Sequence, residues 1–151
     1  MTKIYNRRYV ERYVEMHLDF NEACAMILID LDNFKTVNDE LGHEKGDEVL
    51  CRVSEILRNN FRKSDCVARI GGDEFIILMP QILDKSHVAD KVRKILQEFP
   101  IIMKDENAEK SVPVSLSVGI IFTKSGEQNE YEELYRRADK FMYKAKKGGK
   151  R

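Results

Sequence analysis

Three groups of residues in this sequence could do chemistry. An acidic step, Asp30-Leu31-Asp32, follows directly on an apolar run. A second acidic pair, Asp73-Glu74, adjoins the paired glycines Gly71-Gly72. A basic tail carries Lys144, Lys146, Lys147 and Lys150. Carboxylates brought together repel unless a cation lies between them. Mg²⁺ suits such hard oxygen donors, keeps several waters and usually takes a substrate phosphate oxygen as well. Glycines lack Cβ atoms, so backbone there can approach a bulky ligand closely. The lysines could meet a phosphate, or could complement the dipole of a helix that ends there. Taken singly, each group reads more simply as an exposed strand end, a turn or a solvated helix end. Together they describe a metal–phosphate site.

Two further candidates lie between the acidic groups. Lys35 and Asn38 are three residues apart and would share a helix face. Lys35 could hold phosphate and Asn38 could read a base edge, although such pairs are commonly solvated. Gly42 to Asp47 reads as a loop that closes on Asp47 as the N-cap of the next helix, and capping alone would account for that residue. An EF-hand reading of the first acidic step is excluded, because that loop would need an oxygen ligand at Phe34, glycine at Lys35 and glutamate at Leu41. His17, His43 and His87 are too scattered to suggest a metal set.

These residues must be positioned by a mixed fold. Tyr5 to Phe20 has Tyr9, Tyr13, Met16 and Phe20 at helical spacing. Ala25 to Ile29 is a continuous apolar run of the kind found in buried central strands. Phe34 to Leu41 reads as a short helix stopped by Gly42, and Asp47 to Phe61 as a strongly amphipathic one. Cys66 to Ile70 and Phe75 to Met79 flank the glycines as a β-hairpin, whose tight turn the glycines would serve by accepting positive φ. Lys85 to Phe99 reads as a helix and Val112 to Phe122 as a strand, with an optional extra strand at Ile101 to Lys104. Tyr131 to Lys146 is a last helix with Leu134, Ala138, Phe141, Met142 and Ala145 on one face. The order predicts an α+β fold: a ferredoxin-like βαββαβ core with added helices and a mainly antiparallel central sheet.

Composition narrows the partners. The chain has 151 residues, which suits one domain, and 42% are hydrophobic, enough for a core. Lys+Arg and Asp+Glu both count 26, so no basic excess favours nucleic acid or an anionic membrane. Cys24, Cys51 and Cys66 match no metal-knuckle spacing and read as reduced, mostly buried thiols. No run approaches a membrane span and the start, Met1-Thr2-Lys3, opens no signal peptide. A cytoplasmic domain is expected, whether or not its parent protein is membrane-anchored.

At these residues the sequence closely resembles the GGDEF-domain family, the diguanylate cyclases. The resemblance runs from Thr2 to Arg8, where Asn6-Arg7-Arg8 enters the first helix, through Asp30 to Asp39, then Gly42-His43 to Gly46-Asp47. The name-giving Gly71-Gly72-Asp73-Glu74-Phe75 is intact, and Ser117-Val118-Gly119 and Ala138-Asp139 to Lys146 complete it. Five ordered blocks with suitable spacing carry more weight than the pentapeptide alone.

The resemblance implies that residues 1–151 are one GGDEF domain, excised from a larger protein with an upstream sensory domain. It implies an enzyme that condenses two GTP into cyclic di-GMP with release of two pyrophosphates, each domain of a homodimer holding one GTP. Asp30, the carbonyl of Leu31 and Asp73 would hold two Mg²⁺ (or Mn²⁺) per active site. Asp73, Glu74 and Asp30 would be the catalytic groups, with Glu74 beside the reacting 3′-oxygen as metal ligand or proton acceptor. Lys35 and Lys146 match phosphate-binding positions, assisted by the backbone at Asn33 and Phe34, while Gly71 and Gly72 pass close to the nucleotide. Asn38 and Asp47 match the guanine-reading positions, and a carboxylate can accept from guanine N1–H and N2–H₂ where adenine offers no donor. The family usually closes on Gly-Arg-Asn. Here Gly149 is followed by Lys150-Arg151, so Lys150 supplies a phosphate charge without a bidentate fork, and Arg151 could serve instead. Arg62-Lys63-Ser64-Asp65 resembles the family's inhibitory site for cyclic di-GMP, Arg62 gripping phosphate or guanine and Asp65 accepting from the guanine edge. Two other readings differ in class: a weak or inactive module that binds GTP or cyclic di-GMP as a regulator, and a cyclase acting on ATP.

Overall fold

The fold follows from period-two alternation in one strand. In the computed structural model, which describes residues 4–17, 21–127 and 130–148, β1 (Ala25–Asp32) is the middle of a five-stranded sheet of order β2-β3-β1-β5-β4. Its neighbours are β3 (Glu74–Met79) and β5 (Ser111–Phe122), with β2 (Cys66–Arg69) and β4 (Ile101–Lys104) at the edges, and every neighbouring pair is antiparallel. Ala25, Ile27, Ile29 and Leu31 point to one face, where they join Val37, Val49, Val53, Leu57, Val88 and Ile95 in the larger core. Met26 and Leu28 point to the other, against Val10, Val14, Leu134, Ala138 and Met142. A strand buried on both faces must be apolar throughout, which is why this run lacks alternation.

The first face is covered by α2 (Phe34–Leu41), α3 (His43–Asn60) and α4 (Lys85–Glu98), the second by α1 (Arg7–His17) and α5 (Tyr131–Gly148). The β1, helices, β2, β3, α4, β5 sequence with this strand order is the ferredoxin-like core, and β4 is the added strand at 101–104. Among the described residues no helix is long and apolar enough to cross a membrane.

Three expectations need correction. The helix expected from Asp47 begins four residues earlier, at His43, because Gly42 at φ 90 ends α2 and starts α3 without an intervening loop. Asp47 therefore lies inside the helix and caps nothing. The first helix starts at Arg7 rather than at Tyr5, which instead bridges β2 at Ala68; Phe20, the expected end, lies outside the described residues. It buries Val10 and Val14, four apart, while Tyr9 and Met16 stay exposed. Likewise α5 buries Tyr131, Leu134, Ala138 and Met142, leaving Phe141 and Ala145 outside.

Candidate active site

The acidic groups meet because β3 runs antiparallel to β1. The alternation that sends Ile29 and Leu31 into the larger core sends Asp30 and Asp32 to the opposite face, under α5. In the β1–β3 register Asp30 stands directly opposite Glu74. The Leu31 N–H donates to the Asp73 carbonyl at 3.1 Å, tying the turn between β2 and β3 to the end of β1. Within the turn, the N–H groups of Ile70 and Gly71 converge on the Glu74 carbonyl at 3.0 and 3.4 Å, and Arg69 Nε donates to the Gly71 carbonyl at 3.0 Å.

The glycines of this turn are there for room, not for a left-handed backbone. Positive φ among described glycines occurs at Gly42 and Gly126, so the expected use at Gly71 and Gly72 is not what is found. A Cβ at Gly71 would lie 3.0 Å from Glu74 Oε2, and one at Gly72 would meet nothing within 4 Å. Gly71 thus lets the Glu74 carboxylate lie against the chain, and Gly72 borders open space.

α5 contributes a cation and a phenol to the acidic pair. Lys146 Nζ lies 2.6 Å from Asp30 Oδ1, and Tyr135 donates its hydroxyl to Glu74 Oε1 at 3.2 Å. Both reach the sheet because α5 rests backbone to backbone on β5 at Gly119, where a Cβ would lie 2.1 Å from the Ala138 carbonyl oxygen. Ser115 and Ser117 of β5 each donate to Asp32 at 2.8 Å, so Asp32 is held by two hydroxyls.

Burial pushes the Asp30 carboxyl above its ordinary range, and the charges of Asp73 and Asp32 push the same way, against the opposing bond from Lys146. Burial also raises Glu74, helped by Asp30, Asp73 and Asp139 and opposed by the Tyr135 bond. The bond to Asp30 raises Lys146, which holds its proton firmly. The residues fit a divalent cation in one mode. A buried Asp30 and a half-buried Glu74 that repel each other are what such an ion relieves. Among the described residues no three His, Cys, Asp or Glu side chains could hold a metal by themselves. The remaining ligands would then be backbone, water and phosphate oxygens, which is how Mg²⁺ commonly binds.

The other expected residues fall around this edge. Asn33 adopts φ 65 between β1 and α2, and its Nδ2 donates to the Pro113 carbonyl at 2.9 Å. Phe34 starts α2 half-buried on the larger core, and Lys35 is exposed. Asn38 packs on Gly46, where a Cβ would lie 2.0 Å from Asn38 Oδ1. Asp47, next in sequence, is exposed. A cavity of about 390 Å³ runs from Asp32 and Asn33 past Ser115 and Ser117 to Lys146. Lys144 and Lys147 lie over the Phe141 and Tyr143 rings rather than in the site, and Lys150 lies outside the described residues.

The Arg62–Asp65 segment forms a closed turn at the other end of β2, one four-residue strand away, a length of roughly 13 Å. Asp65 is buried, and its Oδ2 accepts from the Arg62 N–H at 2.8 Å while the Asp65 N–H returns to the Arg62 carbonyl at 3.0 Å. The Arg62 side chain is exposed and, with Tyr5, Arg58 and Lys63, lines a cavity of about 420 Å³. Tyr135, which bonds Glu74, stands in none of the motifs that marked the site. Tyr135 lies eleven residues before Lys146, three helical turns, so a polar side chain on the lysine's own face was the available signal.

Residues 1–151 match the family model described as "Diguanylate cyclase, GGDEF domain". A diguanylate cyclase of Vibrio cholerae is 32% identical over 162 residues, covering 99% of this chain and 46% of the relative. The GGDEF domain of YfiN (TpbB) from Pseudomonas aeruginosa superposes with TM-score 0.79 at 31% identity, over 98% of this chain and 93% of that one. That of DgcB from Caulobacter crescentus, solved with cyclic di-GMP, superposes with TM-score 0.83 at 27% identity, over 98% and 88%. The chain spans less than half the length of the curated relatives it matches, 24% to 46% in the first three. With the signature turn clamped opposite Asp30 and the family model matching end to end, the chain belongs to the GGDEF-domain, diguanylate cyclase family.

Proposed function

We propose that the chain is an active cyclase domain that joins two GTP molecules into cyclic di-GMP. The observation that carries this reading is the register that sets Asp30 opposite Glu74, with Asp73 clamped beside them and Lys146 on the same face. A regulatory module with a decayed site would not need to keep a buried and a half-buried carboxylate facing each other.

Each of two domains in a homodimer holds one GTP. The 3′-oxygen of one nucleotide bonds to the α-phosphorus of the other, the α–β bridging bond breaks, and pyrophosphate leaves with the electron pair. Repeating the step from the other side closes the ring. Asp30, Asp73 and the Leu31 carbonyl would hold Mg²⁺, which would neutralise the triphosphate and polarise the phosphorus. Glu74 stands beside the 3′-hydroxyl, as acceptor of its proton or as a further metal ligand. Lys146 exchanges Asp30 for the terminal phosphates, and Lys35 and the backbone at Asn33 and Phe34 complete the grip. Asn38 and Asp47 read guanine: Gly46 gives Asn38 its place beside the first turns of α3, and an exposed Asp47 is free to accept from the base.

Arg62 and Asp65 bind cyclic di-GMP as a brake. The closed turn there leaves the Arg62 guanidinium free over a cavity with two further cations, Arg58 and Lys63. In the longer parent protein an upstream sensory segment controls how two domains meet.

Incubating the domain with GTP and Mg²⁺ at high protein concentration tests the function. Cyclic di-GMP appears, identified by mass spectrometry, and ATP in place of GTP gives no cyclic product. A domain that yields product from ATP as readily as from GTP contradicts the roles of Asn38 and Asp47.

A further inference from the structure

We infer that Tyr135 is a positioning residue for Glu74, its phenol holding that carboxylate in the orientation the condensation needs. This rests on the cyclase reading above.

The Glu74 side chain is held from two sides. Tyr135 donates to Oε1 at 3.2 Å. Oε2 lies 3.0 Å from where a Cβ of Gly71 would stand, so the absent side chain makes its berth. Among the described residues Tyr135 is the hydrogen-bond donor to this carboxylate. The charges around it, Asp30, Asp73 and Asp139, all repel it. Without the phenol, Glu74 would swing outward to water, away from Asp30 across the strands.

The phenol is itself well seated. Tyr135, Ala138, Met142 and Lys146 follow one another along one face of α5 at helical spacing. Gly119 lets that face lie on β5 at backbone contact, with the Met142 nitrogen 2.5 Å from a would-be Cβ. One face of one helix therefore serves both members of the cross-strand pair: Lys146 holds Asp30 and Tyr135 holds Glu74. The Tyr131 ring packs 6.0 Å away, tilted by 36°, and limits the swing of Tyr135. Burial pushes the Tyr135 hydroxyl up to about 12, so it remains a proton donor over the working range. A neutral donor suits this place. It orients Glu74 and leaves its charge available, whereas a lysine there would cancel it.

Tyr135→Phe keeps the ring and removes the hydroxyl. With the wild-type chain as reference, kcat for GTP condensation falls about tenfold, the order expected for one hydrogen bond to a charged group, while KM for GTP is unchanged. The melting midpoint stays within about 3 °C of wild type. Unchanged kcat overturns the inference. A fall in kcat accompanied by a rise in KM also overturns it, since that pattern marks a packing role. A wild-type chain that makes no cyclic di-GMP overturns the cyclase reading and takes the catalytic role of Tyr135 with it, whereas an active wild type with an indifferent variant overturns the inference alone.

Discussion

Glu74→Gln should stabilise the metal-free protein at neutral pH. Glu74 stands directly across from Asp30 in the β1–β3 ladder, and like charges in that relation destabilise. Asp30 has a cation at 2.6 Å; Glu74 has only a neutral phenol at 3.2 Å. Glutamine keeps the size, keeps an acceptor oxygen for Tyr135 and removes the charge. A cross-strand term of roughly 0.2–1 kcal/mol, with some relief of burial, gives a gain of about 1 kcal/mol. For a domain of this size that is about 3 °C in melting temperature. The pH dependence has a definite sign. The folded state raises the Glu74 carboxyl, so the folded protein holds this proton more tightly than the unfolded chain. Stability from that source is full below the ordinary carboxylate range and is lost as pH rises through the raised folded value. The variant's advantage is therefore near zero in acid, grows as pH rises through that window and then levels. Thermal melts of both proteins in chelator, from acid to pH 8, measure it. A variant less stable than wild type at pH 8, or an advantage that grows on acidification, refutes the reasoning.

Gly119→Ala drives a Cβ to 2.1 Å from the Ala138 carbonyl, backbone that cannot step aside, and should cost about 1–3 kcal/mol in denaturant melts along with most activity. Gly46→Ala instead meets the end of the Asn38 side chain at 2.0 Å, which can rotate away. The fold then survives with a small loss, while calorimetric affinity for GTP falls and discrimination against ATP weakens. Arg62→Ala should leave turnover at low product concentration unchanged and abolish cyclic di-GMP binding at the Arg62–Asp65 turn by calorimetry. Product binding equal to wild type would show that turn to be structural, as the bonds of the Asp65 carboxylate and N–H to the Arg62 backbone alone would allow.

Much of this was legible in the residues, for physical reasons that also explain the misses. The apolar run of β1 is readable because a strand buried on both faces has no polar positions until Asp30. The bounds of α2 coincide with Phe34 and Leu41, since Gly42 is a strong stop. The same glycine hid the start of α3: a residue that ends one helix can begin another, and Gly46 reads as loop although it is in a helix to make room for Asn38. Tyrosines at helical spacing on α1 suggested a core stripe, but smaller Val10 and Val14 go under and the rings lie at the rim. Gly71 and Gly72 suggested positive φ, whereas their use is the missing Cβ, a property visible only once Glu74 is placed. Tyr135 escaped because its partner is 61 residues away in sequence.

The most direct test of the central claim is turnover of GTP by the chain held as a dimer through a fused coiled coil, with Mg²⁺ present and Asp73→Ala as control. The wild-type dimer yields one cyclic di-GMP and two pyrophosphates for every two GTP consumed, and the Asp73→Ala dimer yields none. A folded, dimeric wild-type chain that leaves GTP unchanged, or an Asp73→Ala dimer as active as wild type, would contradict it.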